Sequence, residues 1–297
     1  MKACKQKGVR QAFITMWGDD GMECDVFSAL PAVQLFAEHA YADEVDGELL
    51  RANFRGACDA EFDDWLRASG LDSVPCIPDP GLSCANVSKW LLWQDPFLPL
   101  MDPQLEGCCL RGYYGELADE LDRASARRGD ASRLEFPARM ARALSLKCDL
   151  SADLRRAYEA GDRERLRSLM EGDLSELRRQ VEQLWKCHRR MWLSTYKPFG
   201  LEVIERRYGG LMARLESLND RLADYLDGRH PERVSFCDAE EDARRRDFTI
   251  NAMAVDLNEA TFGRFHDPHG GYADLLAGRI RILHGHSFVE DPTRVFR

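Results

Sequence analysis

The chain has 297 residues, with 51 acidic and 41 basic side chains and a formal net charge of −10 at pH 7. This length corresponds to about two domains of ordinary size, and a hydrophobic content of 44% excludes wholesale disorder because it can build a core. No apolar run approaches the roughly 20 residues of a membrane span, and the acidic balance argues against a protein that coats nucleic acid non-specifically.

Strand, loop and helix signals alternate in the first hundred residues. The aromatic and β-branched run RQAFITMW (10–17) predicts a strand that ends at a glycine-bounded loop. A helix is predicted at about 28–41, with Ser28 as its N-cap and Pro31 in its first turn. A helical hairpin is predicted at about 46–70 and a second strand at Lys89–Trp93. This order is typical of an α/β barrel or a doubly wound sheet.

The pattern changes twice in the rest of the chain. From about 105 to 228 apolar residues recur at helical spacing, which predicts a domain of about five helices with a break at Gly172-Asp173. Residues 229–297 contain no lysine and carry five of the seven histidines. This shift predicts a domain boundary near Asp227.

The ten cysteines are scattered, without a CxxC pair or the paired spacing of a zinc site. They therefore predict reduced thiols and no zinc centre. The N-terminal MKACKQKGVRQAF has neither the apolar stretch nor the cleavage site of a signal peptide. These features together predict a cytoplasmic protein.

The run WGDDG places an aromatic ring and two carboxylates at the end of the first predicted strand. In an α/β barrel the carboxyl ends of the strands carry the active site. The ring of Trp17 can stack on the apolar face of a sugar, and Asp19 can accept hydrogen bonds from its hydroxyls. On these residues alone, a core tryptophan and an aspartate that caps the next helix remain the alternative.

Three blocks in order resemble the C-terminal half of a β-N-acetylhexosaminidase of glycoside hydrolase family 20: MWGDDGMECDVFSALPAVQLFAEHAY, VSKWLLWQDPFLPLMD and HRRMWLSTYKPFGLEVIERRYGGLMARLESLNDRLADYL. The resemblance covers about residues 1–226 and implies an N-acetylhexosaminide as ligand. The family's Trp-x-acid pattern, which holds the terminal sugar and its O4 and O6 hydroxyls, falls on Trp17 and Asp19. Further sugar-binding candidates, chosen because they lie at predicted strand ends, are Asp20, Trp93 and Asp95.

The catalytic pair of that family has no counterpart in this stretch. The resemblance implies a substrate-assisted reaction, in which an Asp orients the acetamido group of the substrate and an adjacent Glu is the general acid. No Asp-Glu dipeptide precedes Trp17, and Asp43-Glu44 and Asp119-Glu120 fall in predicted helical segments. We therefore expect no catalytic residue here and no glycoside cleavage by this part alone.

The segment EDARRRDFTINA (241–252) has a high density of guanidinium groups beside carboxylates. Guanidiniums suit triphosphates because they bind bidentately and stay charged. Asp247 and Asn251 are four residues apart, so on a helix they share one face. In the predicted helix start EDPTR, Asp291 and Arg294 can hydrogen-bond the edges of a base. A surface of salt-bridged arginines is the alternative.

DGRHPERVSF, RRRDFTINAMA and HDPHGGYADLLAGRIRILHGHSFVEDPTRVFR resemble the head domain of a class II tRNA nucleotidyltransferase or bacterial poly(A) polymerase. The resemblance covers about 224–297 and implies ATP or CTP and a tRNA or RNA 3′ end as partners. The residues implied to contact the ribose and triphosphate are Arg245, Arg246, Asp247 and Asn251. Those implied to read the incoming base are Asp291 and Arg294, with Arg297 following on the same helix face.

This second resemblance also implies Mg²⁺, held by two carboxylates that follow a Gly-Gly loop. Gly209-Gly210 is followed by Leu-Met-Ala-Arg in a helical pattern instead of such a pair. We therefore predict no metal ligands and no catalytic residues in the chain, although the family uses the ion.

The predicted fold is mixed α and β, and mostly helical. Its predicted parts are the C-terminal part of a (β/α)8 barrel (1–104), a helical domain of the hexosaminidase type (105–226) and a fragment of an α/β nucleotidyltransferase head (227–297). We expect a fusion-like chain, with a partial head for RNA 3′-end nucleotide addition behind a hexosaminidase fragment, that is inactive alone. The alternatives are a β-N-acetylhexosaminidase and a non-catalytic sugar- or nucleotide-binding fragment.

Overall fold

The protein is mostly helical and divides into two compact units, Met1–His230 and Pro231–Arg297, in a computed structural model. The predicted mostly helical class is therefore confirmed. The residues that the structure describes are 1–16, 23–75, 86–99, 105, 107–127, 133–229, 243, 246–257, 261–283 and 285.

The described part of the first unit consists of α-helices joined by short turns. Its helices are α1 (Lys2–Gln6), α2 (Leu30–Tyr41), α3 (Gly47–Cys58), α4 (Phe62–Ala68), α5 (Val87–Trp93), α6 (Leu110–Ser125), α7 (Glu135–Glu159), α8 (Arg163–Leu169), α9 (Ser175–Thr195) and α10 (Leu201–Leu226). The helix predicted at 28–41 and the hairpin predicted at 46–70 are confirmed as α2 and as α3 with α4. The N-cap prediction is wrong, because Asp25 and not Ser28 accepts the first backbone N–H, from Phe27.

Helices α6 to α10 form the bundle predicted from the helical spacing. Helix α7 packs against α6 and α9, and α10 packs against α9. Each helix turns an apolar stripe inward, as its sequence period requires. Side chains with no exposed surface in this core include Tyr114, Leu144, Leu184 and Leu215.

The predicted break at Gly172-Asp173 is wrong. Met170–Leu174 form a single π-helical turn that joins α8 to α9 without an interruption. The wider turn keeps Leu169 and Leu174, five residues apart, in the core on either side of the glycine. Asp173 does not cap a helix but forms an ion pair with Arg111 at 2.9 Å.

Neither strand predicted in the first unit forms in the residues that the structure describes. Arg10–Met16 contain no strand and are exposed throughout. A strand needs a neighbour for its backbone N–H and C=O groups, and the described residues of this unit include no other strand. A partial (β/α)8 barrel is therefore not shown.

The second predicted strand, Lys89–Trp93, belongs to helix α5. Val87 and Leu91 are four residues apart and both are fully buried, so they share one helix face. The buried Lys147 ammonium of α7 stabilises the C-terminal end of α5, since Nζ donates to the carbonyl oxygens of Leu91 at 2.9 Å and Gln94 at 2.8 Å. The period of so short an apolar run cannot show whether it forms a helix or a strand.

The second unit contains the only sheet among the described residues. Strand β1 (Ala254–Val255) pairs antiparallel with β2 (Phe265–His266), and a short helix, α11 (Gly271–Leu276), follows. Helix α11 packs against a 3₁₀ turn at Thr249–Asn251. The small core of the described residues therefore forms around 247–252.

Cysteine chemistry differs from the expectation in one place. Cys108 is disulfide-bonded, whereas six other cysteines of the described residues are free thiols: Cys4, Cys24, Cys58, Cys109, Cys148 and Cys187. The prediction of wholly reduced cysteines is therefore wrong at Cys108.

No helix in the described segments combines the length and apolar content needed to cross a membrane.

Candidate functional site

Asp247 organises the loop of the second unit that precedes β1. Its Oδ1 accepts the backbone N–H of Phe248 and the side-chain amide of Asn251, each at 3.0 Å. Asp247 is 9% exposed, while Arg246 and Asn251 on either side of it are exposed. The structure thus brings Asp247 and Asn251 together as predicted, although through a 3₁₀ turn instead of an α-helix.

The chain after α11 returns to hold this loop. The backbone N–H of Thr249 donates to the carbonyl oxygen of Arg281 at 2.9 Å, and that of Leu283 donates to the carbonyl oxygen of Asp247 at 3.1 Å. Between them Phe248 and Ile282 form an antiparallel bridge. These backbone bonds fix the direction in which the loop presents Arg246 and Asn251.

The carboxylate of Asp274 is the second support of the loop, and the sequence analysis did not single it out. It is 4% exposed, and its Oδ2 accepts from the Thr249 hydroxyl at 2.7 Å and from Arg281 Nε at 2.8 Å. The Thr249 hydrogen bond, aided by the Arg281 guanidinium, holds the pKa of Asp274 below its usual range. An acid and an arginine seven residues apart, in DLLAGRIR, were the only signal of this pair.

Gly271 permits the close approach of α11 to the loop. A Cβ at this position would lie 2.2 Å from the carbonyl oxygen of Thr249. No side chain fits there without displacing the backbone, so the glycine is a packing requirement of the site.

The other residues predicted to bind nucleotide, Arg245, Asp291, Arg294 and Arg297, lie outside the described residues. The described part of the chain also contains no group of three or more His, Cys, Asp or Glu side chains placed to hold a metal ion.

In the first unit, Trp93 and Asp95 line a cavity of about 680 Å³. Helix α5 and the residues after it form one wall, and α10 forms the other with Arg206, Arg207 and Arg214. The structure therefore brings two of the predicted sugar-binding residues into one cavity. The other three, Trp17, Asp19 and Asp20, lie outside the described residues.

Trp93 is held from two sides. Its Nε1 donates to Glu23 Oε2 at 2.8 Å, and its ring meets the ring of Tyr208 edge-on with the centroids 4.9 Å apart. The Tyr208 hydroxyl in turn lies 3.1 Å from Nδ1 of the buried His188. The position of the indole is thus determined by the bundle core and not by α5 alone.

Asp95, a sugar-binding candidate of the sequence analysis, forms an ion pair with Arg214. Its carboxylate accepts from Arg214 Nε at 2.7 Å and Nη2 at 3.2 Å, and from the backbone N–H of Phe97 at 2.7 Å. The Arg214 hydrogen bond is the main cause of a lowered Asp95 pKa. The arginines of α10 were missed, although Arg207 and Arg214 are seven residues apart and share a helix face.

We expect the first unit to lose stability on mild acidification because of His188. Burial lowers the pKa of this imidazole to about 4, against about 6.5 in an unfolded chain. The neutral His188 therefore contributes its full stability above pH 6.5, and this contribution is lost as the pH falls towards 4. Over this range the unfolded chain binds a proton at His188 and the folded chain does not. Unfolding in urea, followed by tryptophan fluorescence, should show a loss of about 2 kcal/mol between pH 7 and pH 5.

The control is His188→Gln, which does not titrate and retains a polar group beside Tyr208. We expect its stability to be nearly constant over the same pH range. An equal pH dependence in both proteins would show that other groups cause it.

The family model for the Glycoside Hydrolase 20C C-terminal domain matches residues 63–240, which is more than half of the chain. The chain belongs to this family. The match includes α5, the helical bundle and the residues from Asn86 to Arg214 that line the cavity.

Curated relatives of a second kind match a shorter segment. The "A-adding tRNA nucleotidyltransferase" of Halalkalibacterium halodurans is 54% identical over 57 residues, 19% of this chain and 13% of that protein. The enzyme of the same name from Geobacter sulfurreducens is 61% identical over 56 residues, 19% of this chain and 6% of that protein. The "Multifunctional CCA protein" of Nitrosomonas europaea is 59% identical over 58 residues, 20% of this chain and 13% of that protein.

These findings confirm both sequence resemblances at the level of the family. The chain spans 13% or less of the length of the three relatives named above. The similarity therefore concerns a segment and not a whole enzyme.

Proposed function

We propose that the second unit recognises a nucleoside triphosphate, as the nucleotide-binding part of a head domain for RNA 3′-end nucleotide addition. The observation that carries this proposal is the loop in which the buried Asp247 holds the exposed Asn251, with the exposed Arg246 next to it in the chain. The similarity of a segment to tRNA nucleotidyltransferases supports it.

The chemistry of the exposed groups suits this ligand. A guanidinium such as that of Arg246 matches the phosphate oxygens and stays charged at any physiological pH. The amide of Asn251 offers a donor and an acceptor for ribose hydroxyls. In this proposal the triphosphate is ATP or CTP with Mg²⁺, the RNA partner is a tRNA 3′ end, and the remaining contacts come from Arg245, Asp291, Arg294 and Arg297.

Calorimetric titration of the full chain with ATP and with CTP, each with Mg²⁺, tests nucleotide recognition. Arg246→Gln should weaken binding about tenfold, because a charge-assisted hydrogen bond to phosphate is lost. The matched control is Arg264→Gln, an exposed arginine beside β2, which should bind as the parent chain does. Absence of binding by the parent chain, or equal binding by the two variants, would contradict the proposal.

Turnover is a separate measurement. Incorporation of labelled AMP or CMP into tRNA that lacks its 3′-terminal nucleotides distinguishes nucleotide addition from recognition without chemistry. The relative use of ATP and CTP distinguishes A addition from CCA addition.

A second candidate function, recognition of an N-acetylhexosaminide by the first unit, is favoured by the cavity. Trp93 presents an aromatic wall, and polar side chains that can bond hydroxyls line the same space. Quenching of tryptophan fluorescence by methyl N-acetyl-β-D-glucosaminide tests binding. Release of nitrophenol from the corresponding nitrophenyl glycoside tests hydrolysis, and a chain that does neither has no such function.

A further inference from the structure

The cavity between α5 and α10 carries more positive charge than a neutral sugar requires. Its cationic lining residues are Lys89, Arg206, Arg207 and Arg214. Glu23 forms ion pairs with Arg207 and, at 3.7 Å, with Lys89, while Asp95 forms one with Arg214. The described lining thus has four cationic side chains and one carboxylate, that of Asp95.

Arg206 differs from the other three cations of the lining. It lines the cavity, is exposed, and forms no ion pair with a carboxylate of the described residues. An arginine presents parallel N–H groups that match the two oxygens of a carboxylate. The cavity therefore contains a cation still available to an anionic ligand.

The opposite wall is aromatic. Trp93 is fixed by Glu23 and Tyr208, and Trp90 lines the same cavity. The Nε1 of Trp90 is buried and has no hydrogen-bond partner in the described part of the chain. A volume of about 680 Å³ lies within the range of small-ligand sites.

We propose that this cavity binds an acidic saccharide, a pyranose ring that carries a carboxylate. The ring packs against the tryptophan wall and the carboxylate pairs with Arg206. This inference rests on the proposed sugar recognition by the first unit and assigns its ligand class, since a neutral sugar would offer Arg206 no anionic partner.

The test compares two ligands that differ only at C6. Methyl β-D-glucuronide has a carboxylate where methyl β-D-glucoside has a hydroxymethyl group. Tryptophan quenching of the full chain should show that the glucuronide binds about tenfold more tightly at low salt, and Arg206→Gln should remove this advantage. The control is Arg221→Gln on the same helix, because Arg221 packs over the Phe97 ring and does not line the cavity.

The possible results separate this inference from the function on which it rests. Three results would each overturn the proposal of an acidic saccharide. The glucuronide and the glucoside could bind equally, the glucuronide could keep its advantage in Arg206→Gln, or acetate could bind as tightly as the glucuronide. If methyl N-acetyl-β-D-glucosaminide still binds in that case, sugar recognition stands and only its ligand class is wrong. If none of the three glycosides binds, both proposals fail.

Discussion

Replacement of Tyr208 by alanine should lower the free energy of unfolding of the first unit by about 3–5 kcal/mol. Tyr208 is 1% exposed, and its ring separates Trp93 from His188 in the core beneath the cavity. The substitution removes a large buried ring and leaves a void that the packed helices can fill only in part. Urea unfolding followed by tryptophan fluorescence measures the loss.

Tyr208→Phe is the matched control, because it keeps the ring and removes only the hydroxyl. We expect a loss of about 1–2 kcal/mol, since Nδ1 of His188 is then left without its partner. The alanine variant should also bind more weakly any ligand that packs against Trp93, whereas the phenylalanine variant should bind it as the parent chain does. Equal effects of the two substitutions would mean that the ring does not support this wall.

Replacement of Gly271 by alanine should unfold the loop that carries Arg246 and Asn251. The new Cβ would lie 2.2 Å from the Thr249 carbonyl oxygen, so α11 must move away from the 3₁₀ turn. Overpacking of this kind costs about 3 kcal/mol. That loss is large for a unit with so small a core, because small cores supply little stability. Loss of amide protection in 246–257 and 261–283, measured by hydrogen exchange, is the expected result.

Gly285→Ala is the control for this substitution. Its added Cβ meets no atom of the described residues within 4 Å, and its backbone does not require a glycine. We expect unchanged amide protection and unchanged ATP binding in Gly285→Ala, and loss of both in Gly271→Ala. Full protection in Gly271→Ala would show that α11 does not dock on Thr249 as described.

The sequence predicted the helices better than the strands for a physical reason. An amphipathic helix needs only residues within its own few turns to show its buried stripe, so α2 to α4 and the bundle were predicted correctly. Lys89–Trp93 is too short for its period to be read, and its helical state depends on Lys147 of α7. Likewise the π turn at Met170–Leu174 follows from packing on both sides of Gly172, which no local pattern shows.

The sequence alone determined the family resemblances, the predominance of helix in the central region and the pairing of Asp247 with Asn251, because each depends on residues close together in the chain. Only the tertiary structure decided that Trp93 and Asp95 lie opposite the arginines of α10, more than 110 residues away in the chain. It also decided that Asp274 holds Thr249 and that Gly271 must lack a side chain. Contacts between distant segments depend on how whole faces pack, and no spacing along the chain records that arrangement.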